Sequence, residues 1–322
     1  MLKISVVVPT FNRCRLLEKC IASLANLDYP TDKYEVIVVD NDSSDSTAEV
    51  VQQCIKQYAY LSLKYICEKK PGLVHARHAG LKHAQFEILS FTDDDAFFSH
   101  NWLSAVSAVF IENPQVSAVA GKIVIHWDKP PPAWVVRYET QLGKLDYGPE
   151  VQVAQSLFIN GGSFHIRKGV LFAVGGFNPD QIGDWIIGDG ETGLCRKLHK
   201  HNHLIGWAPA SVMYHCQFVN KNAKIKDIAR RYINNGRSIP YSLFAIEHRS
   251  YPMLIANCSK AFMGALYFAM KAIWAYGNKD LEKALHNYFR SRYFLCQIPY
   301  TIKIIVNPQF RALLHQKDWL EK

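Results

Sequence analysis

Between residue 4 and about residue 124 the chain alternates short β-branched runs with longer stretches whose apolar residues recur at helical spacing. Few architectures accept that rhythm. The strand candidates are residues 4–8, 36–39, 63–66, 88–91 and 116–120, and the first intervening stretch places Leu16, Leu17, Cys20, Ile21 and Leu24 on one helical face. Strands joined through helices run parallel, because a parallel pair needs a long crossover. The predicted fold class is therefore α/β, a mostly parallel central sheet flanked by helices. Such a sheet binds its ligands beyond the C-terminal ends of its strands, so the residues found there carry the most functional information.

The rest of the chain is read against that layer. With 322 residues, 49% of them hydrophobic, there is enough chain for one large domain and an appendage. The eight cysteines include no C-x-x-C pair, which argues against a zinc site or a disulfide framework. The apolar run before Pro9 is too short for a secretory signal, so a cytoplasmic location is expected. Residues 1–220 hold 20 Lys and Arg against 22 Asp and Glu, net −2, whereas residues 221–322 hold 17 against 6, net +11.

That asymmetry divides the chain into a domain over 1–220 and a basic helical extension over 221–322, and it points to an anionic partner for the extension. No nucleic-acid motif is present, so the expected partner is the inner face of the cell membrane, and nucleic acid is not expected. Residues 261–276 are nearly all apolar but include Lys271 and fall short of the roughly 20 residues that span a bilayer. An in-plane helix is expected there, with Arg290, Arg292, Tyr293 and Phe294 at the interface; a buried helix is the alternative. Residues 126–150, rich in Pro, Trp and Tyr and without a period, read as a long surface excursion.

The strand ends are unusually polar. The first leads into Pro9, Thr10, Asn12 and Arg13, the second into Asp40, Asn41, Asp42 and Ser43, the third into Glu68 to Gly72, and the fourth into Asp93, Asp94 and Asp95. Three adjacent carboxylates repel one another unless a cation neutralises them, and a hard divalent ion with oxygen ligands is the natural choice. In an extended segment Asp93 and Asp95 face one way and Asp94 the other. An acidic turn capping the helix that begins near Asn101 is the plain alternative.

The strings Ser5-Val-Val-Val-Pro-Thr-Phe-Asn-Arg13, Val-Val-Asp40-Asn-Asp-Ser-Ser-Asp45, Pro71-Gly72, Ala76-Arg77-His78-Ala79-Gly80 and Thr92-Asp-Asp-Asp95 resemble, in order, the inverting family 2 glycosyltransferases of GT-A fold. Gly161-Gly162-Ser163-Phe164, Val174-Gly-Gly-Phe177, Gly190-Glu191-Thr192-Gly193-Leu194-Cys195 and Val212-Met-Tyr-His215 continue the pattern, so the resemblance covers about residues 3–216.

The resemblance implies a nucleotide-sugar donor held by Pro9, Thr10, Arg13, Asp40, Asp42, Gly72, Arg77, Asp93 and Asp94. It implies Mg²⁺ or Mn²⁺ on Asp95, Asp93 and His215, and a sugar or acceptor contact at Gly161, Gly162 and Trp185. Where the family commonly has Glu-Asp this chain has Gly190-Glu191, so Glu191 falls on the family's catalytic base, with Asp189 as the alternative. Trp127 and Trp134 are further candidates for stacking on sugar faces. The implied reaction is transfer of a sugar to a hydroxyl of a saccharide or lipid-linked acceptor in cell-surface glycan assembly. A nucleotidyltransferase or a non-catalytic nucleotide-sugar binder is the alternative, whereas the missing G-x-G-x-x-G and Walker sequences set aside dehydrogenases and P-loop enzymes.

Overall fold

The computed structural model describes residues 1–178, 181–182, 185–186, 190–314 and 320. Its first half follows the expected rhythm: β1 (Ile4–Thr10), α1 (Cys14–Ala25), β2 (Tyr34–Asp40), α2 (Thr47–Gln57), β3 (Ser62–Cys67), α3 (Leu73–His83), β4 (Ile88–Thr92), β5 (Ala96–Phe98), α4 (Trp102–Glu112) and β6 (Val116–Trp127). Every residue of β1 and β2 is buried, as in a sheet covered on both faces. On one face α1 packs Leu17, Cys20, Ile21 and Leu24. On the other, α3 comes so close that a Cβ on Gly80 would lie 2.3 Å from Val7 Cγ1.

The sheet continues through α5 (Ala133–Val136), β7 (Gln152–Ala154), β8 (Ser163–Arg167), α6 (Lys168–Ala173), α7 (Gly190–Lys200) and β11 (Leu204–Gln217), with a separate hairpin of β9 (Gln181–Ile182) and β10 (Trp185–Ile186). Strand order is β3-β2-β1-β4-β8-β6-β11-β5, with β7 paired to β11. The strands β3, β2, β1 and β4 are parallel, β8 runs antiparallel between β4 and β6, and β11 lies parallel to β6. From β1 the chain builds outward to β2 and β3, then returns to β1's other side as β4. That reversal opens a crevice at the C-terminal ends of β1 and β4, where Thr10 and the three aspartates lie.

After Gln217 the described chain is helical: α8 (Val219–Asn222), α9 (Ile225–Tyr241), α10 (Tyr251–Gly277), α11 (Leu281–Leu295), α12 (Gln297–Val306) and α13 (Pro308–Leu314). These helices do not stand apart from the sheet domain. Val135, Tyr138 and Leu142 of the excursion form one buried cluster with Ile228 and Ala229 of α9 and Phe289 of α11. The excursion is thus half core rather than all surface. Its tryptophans serve that packing, with the Trp134 ring 6.5 Å from Phe289 and Trp127 Nε1 donating to Glu139 Oε1 at 3.1 Å.

The apolar run expected over 261–276 is only the second half of α10, which has 27 residues. By length and composition alone this helix is long and apolar enough to cross a membrane. Leu254, Ala261, Ala265 and Ala275 are buried, and Ala265 O accepts the Ser291 hydroxyl of α11 at 2.9 Å. The opposite arc exposes Ile255, Phe262, Met263, Leu266, Met270, Ile273 and Trp274.

Candidate active site

The three aspartates occupy the short connection between β4 and β5, and they divide as their alternation requires. Asp94 turns inward, accepting Thr10 Oγ1 at 2.7 Å and Arg13 Nη1 at 2.9 Å. The same Arg13 nitrogen lies 2.9 Å from Asp95 Oδ2. Asp93 and Asp95 turn outward, and the register of β11, which pairs His215 with Ala96, brings the imidazole to them. One ligand atom from each of Asp93, Asp95 and His215 lies within 4.8 Å of the other two.

The electrostatics show what this cluster lacks. Burial and the neighbouring Asp95 charge push the Asp93 carboxyl up. Burial pushes Asp94 up to about 6, in spite of Thr10 and Arg13. For Asp95 burial acts the same way, but the His215 bond and charge, with Arg13, outweigh it and hold the carboxyl low. Burial would lower His215, yet the Asp95 contact raises it. Asp95 Oδ1 is buried without a well-formed hydrogen bond, with His215 Nε2 at 3.3 Å from it. An orphaned carboxylate oxygen beside a second carboxylate and an imidazole is a donor set that fits a divalent metal.

Beside this cluster stands Arg77, fully buried on α3 under the ring of Phe177 at 5.2 Å. Its guanidinium reaches Gly161 O at 3.2 Å and lies 3.9 Å from Asp93 Oδ1 and 3.4 Å from Glu191 Oε2. Glu191 sits in the first turn of α7, whose register is set by the buried Leu194, Cys195 and Leu198. Arg77, Asp93, Glu191 and His215 all line one cavity of about 600 Å³, together with Asn160, Gly161 and Gly162. The glycines are there for close approach: a Cβ on Gly161 would meet Arg77 Nη2 at 2.5 Å, and one on Gly162 would meet Asp93 Oδ2 at 3.1 Å.

At the far end of the crevice, loop residues hold one another. Asp40 accepts Ser43 N at 2.9 Å and the Tyr65 hydroxyl at 2.7 Å, leaving further lone pairs on each oxygen. Asn41 binds the carbonyls of Glu68 and Lys70 and accepts from Gly72 N, whose φ of +129° only glycine adopts readily. Pro9 is buried within β1, and Asp42 is exposed with a φ of +63°. Trp185 contributes its backbone to β10, its side chain lying outside the described residues, as does the whole of Asp189.

Sequence reasoning missed one wall of the cavity. Arg230, Arg231, Asn234 and Asn235 of α9 line it together with the strand-end residues. The available signal was helical spacing: Ile228 and Tyr232 mark the packed face, which puts Arg231 and Asn234 on the arc beside it.

The sequence pattern of Glycosyl transferase family 2 matches residues 5–173. Glycosyltransferase AglE of Haloferax volcanii is 35% identical over 100 residues, which cover 31% of this chain and 33% of that protein. The GalNAc(5)-diNAcBac-PP-undecaprenol beta-1,3-glucosyltransferase of Campylobacter jejuni is 43% identical over 97 residues, 30% of each chain. The matched segments thus span about a third of these relatives' length. Among solved structures, the mannosyltransferase PcManGT of Pyrobaculum calidifontis, in complex with GDP-Man and Mn²⁺, superposes with a TM-score of 0.62 at 20% identity, covering 95% of this chain and 88% of that one. The TarS 1-349 fragment of Staphylococcus aureus, in complex with UDP-GlcNAc, gives 0.54 at 16% identity, covering 90% of each. With the family pattern spanning more than half its length, and strand ends, acidic connection and helical extension arranged on a GT-A-type fold, the chain belongs to glycosyltransferase family 2.

Proposed function

We propose that this chain transfers a sugar from a nucleoside-diphosphate donor to an acceptor hydroxyl, with inversion, using a divalent ion held by Asp93, Asp95 and His215. The observation that carries the reading is the meeting of that three-residue cluster with the Arg77–Glu191 pair in one cavity at the sheet's reversal point. Bound there, Mn²⁺ or Mg²⁺ supplies charge neutralisation for the diphosphate leaving group. One imidazole among carboxylates suits Mn²⁺ well.

The chain's own residues supply the rest. Thr10 and Arg13 fix the acidic connection, Asp40 and the Asn41-locked loops frame the base, and Arg77 orients Glu191 without itself moving, being buried. Glu191 takes the proton of the attacking hydroxyl, a role worth roughly 10²- to 10⁴-fold. A single in-line displacement from the face opposite the leaving group inverts the anomeric carbon. A base on Asp189 remains the alternative assignment.

A lipid-linked saccharide acceptor is favoured by the undecaprenol-linked substrate in the Campylobacter relative's name and by the exposed apolar arc of α10. One face of that helix is occupied by α11, and Lys260 and Lys271 lie together along one edge of the free arc. This arrangement supports a helix lying in the cytoplasmic membrane surface, with its lysines at the headgroups.

The test is calorimetric titration with nucleoside diphosphates and nucleotide sugars, with Mn²⁺ or Mg²⁺ and then with chelator. It is run on the wild type and an Asp93→Ala, Asp95→Ala double variant. Metal-dependent binding of one nucleotide, lost in the variant, is the expected result. Binding of none defeats the proposal. Glu191→Gln then separates an enzyme from a binder: donor affinity is kept, and turnover falls.

A further inference from the structure

Arg231 sits on the helical extension, far in sequence from every strand-end motif, yet it lines the cavity that holds Asp93, Glu191 and His215. Its position is fixed by its neighbours on α9. Ile228 and Ala229 are buried against the excursion, the Tyr232 ring stacks on Phe289 at 5.4 Å, and Asn235 Nδ2 donates to Gln141 Oε1 at 2.9 Å. With that face anchored, the next arc of the helix, carrying Arg231 and Asn234, is turned into the cavity.

Among the described residues Arg231 forms no ion pair and no side-chain hydrogen bond, although it is half-buried. Burial and the adjacent Arg230 lower its guanidinium, while the charges of Asp95, of Asp227 one turn back on α9, and of Asp93 oppose that without any of the three bonding it. A half-buried guanidinium that bonds none of the carboxylates around it keeps its donors free for an arriving anion. On the donor-site reading the anion that enters this cavity is a diphosphate, drawn in by the ion that Asp93, Asp95 and His215 would hold. A guanidinium lining the same cavity, near enough for its charge to act on Asp95 and Asp93, would give the diphosphate a second cationic contact beside the ion, with the fork geometry that phosphate oxygens match.

We propose that Arg231 of α9 binds the distal phosphate of the donor's diphosphate and stabilises it as the leaving group, so that the helical extension completes the active site of the sheet domain. This rests on the donor-site reading above and adds a residue that the strand-end motifs do not contain. The balance is simple: the anomeric C–O bond to the distal phosphate breaks, the acceptor C–O bond forms, the acceptor proton leaves to Glu191, and Arg231 neutralises charge gained by the phosphate. Arg231 neither gives nor takes a proton.

The experiment compares affinity for uridine and guanosine diphosphates with affinity for the corresponding monophosphates, in Mn²⁺, for wild type, Arg231→Gln and Arg231→Lys. Arg231→Gln should weaken the bound diphosphate about tenfold or more, the scale of one charge-assisted hydrogen bond. It should leave the monophosphate unchanged, and Arg231→Lys should recover part of the loss. Binding of free Mn²⁺, followed by electron paramagnetic resonance, should not weaken in Arg231→Gln, because a cation has been removed from beside the ion. Equal losses for di- and monophosphate, or no loss for either, overturn the proposal, and unchanged melting temperatures exclude misfolding as the cause. A wild type that binds no nucleotide overturns the donor-site reading itself, and this inference with it.

Discussion

Gly161→Ala replaces a hydrogen with a methyl group at a crowded point of the cavity. The new methyl would sit 2.5 Å from Arg77 Nη2, 3.0 Å from Glu191 Oε2 and 3.1 Å from Glu191 Cδ. The first is closer than a side-chain carbon tolerates and the other two are tight, so something must move. Arg77 has little room: it is 2% exposed and lies under the Phe177 ring. Glu191 is 32% exposed in its side chain and can swing into the cavity, which relieves its own two contacts. The 2.5 Å contact with Arg77 Nη2 then has to be met by a shift of the guanidinium or of the Gly161 backbone, so the Arg77–Glu191 pair is disturbed from both ends. A contact at 3.0 Å is relieved by a shift of up to about 1 Å, and a misplacement of that size at a reacting group costs on the order of 10²-fold in rate. The accompanying overpacking should cost about 1–3 kcal/mol of stability. Donor affinity should fall much less, because the three atoms nearest the added methyl belong to Arg77 and Glu191 and not to Asp95 or His215. The assay is release of nucleoside diphosphate during sugar transfer, read beside donor titration and thermal melting. Gly169→Ala, where the new methyl meets nothing within 4 Å, is the control that should leave turnover intact. If Gly161→Ala melts lower but turns over at the wild-type rate, the Arg77–Glu191 pair is not part of the catalytic geometry.

How far this site was legible in the sequence depends on which forces place each part. Asp93, Asp94 and Asp95 were found because the β-strand pattern ends abruptly at Thr92, and the period of two in an extended chain then assigned Asp94 to one side and its neighbours to the other. Their partners Thr10 and Arg13 followed from the same rule applied to β1. His215 stands at the register position opposite Ala96, a pairing that no local signal announces; only the family resemblance pointed to it. Arg231 was invisible for a different reason. Basic residues on a helix read as a solvated or membrane-facing surface, and what turns Arg231 inward is the burial of Ile228 and Ala229 against an aperiodic loop. Aperiodic loops offer no pattern from which burial can be read, which is also why Trp127 and Trp134 were expected at a sugar and are found packing. The length of α10 was underestimated because Asn257, Ser259 and Lys260 interrupt the apolar run, although a helix with one packed and one free face tolerates them.

Gly80→Ala should destabilise the fold by about 1–3 kcal/mol, since its Cβ would meet Val7 Cγ1 at 2.3 Å where α3 crosses the sheet; a melting temperature equal to wild type refutes the close packing. Phe262→Asp combined with Trp274→Asp should reduce sedimentation with anionic vesicles while leaving nucleotide affinity unchanged, and undiminished vesicle binding removes α10 from the membrane surface. The metal cluster makes a prediction with a definite sign. Contact with Asp95 raises His215, so without metal the folded chain keeps a proton there to higher pH than the unfolded chain. That contact stabilises the metal-free fold fully below the unfolded value of about 6.5 and is lost as pH rises through the higher folded value. A divalent ion competes for the same imidazole, and binding must expel the proton. Mn²⁺ affinity should therefore climb as pH rises from about 6 to 8, with proton release detectable in buffers of different ionisation enthalpy, and His215→Gln should flatten the climb. An equally steep climb in His215→Gln would place the released proton elsewhere, on Asp93 or Asp94, whose carboxyls are also pushed up.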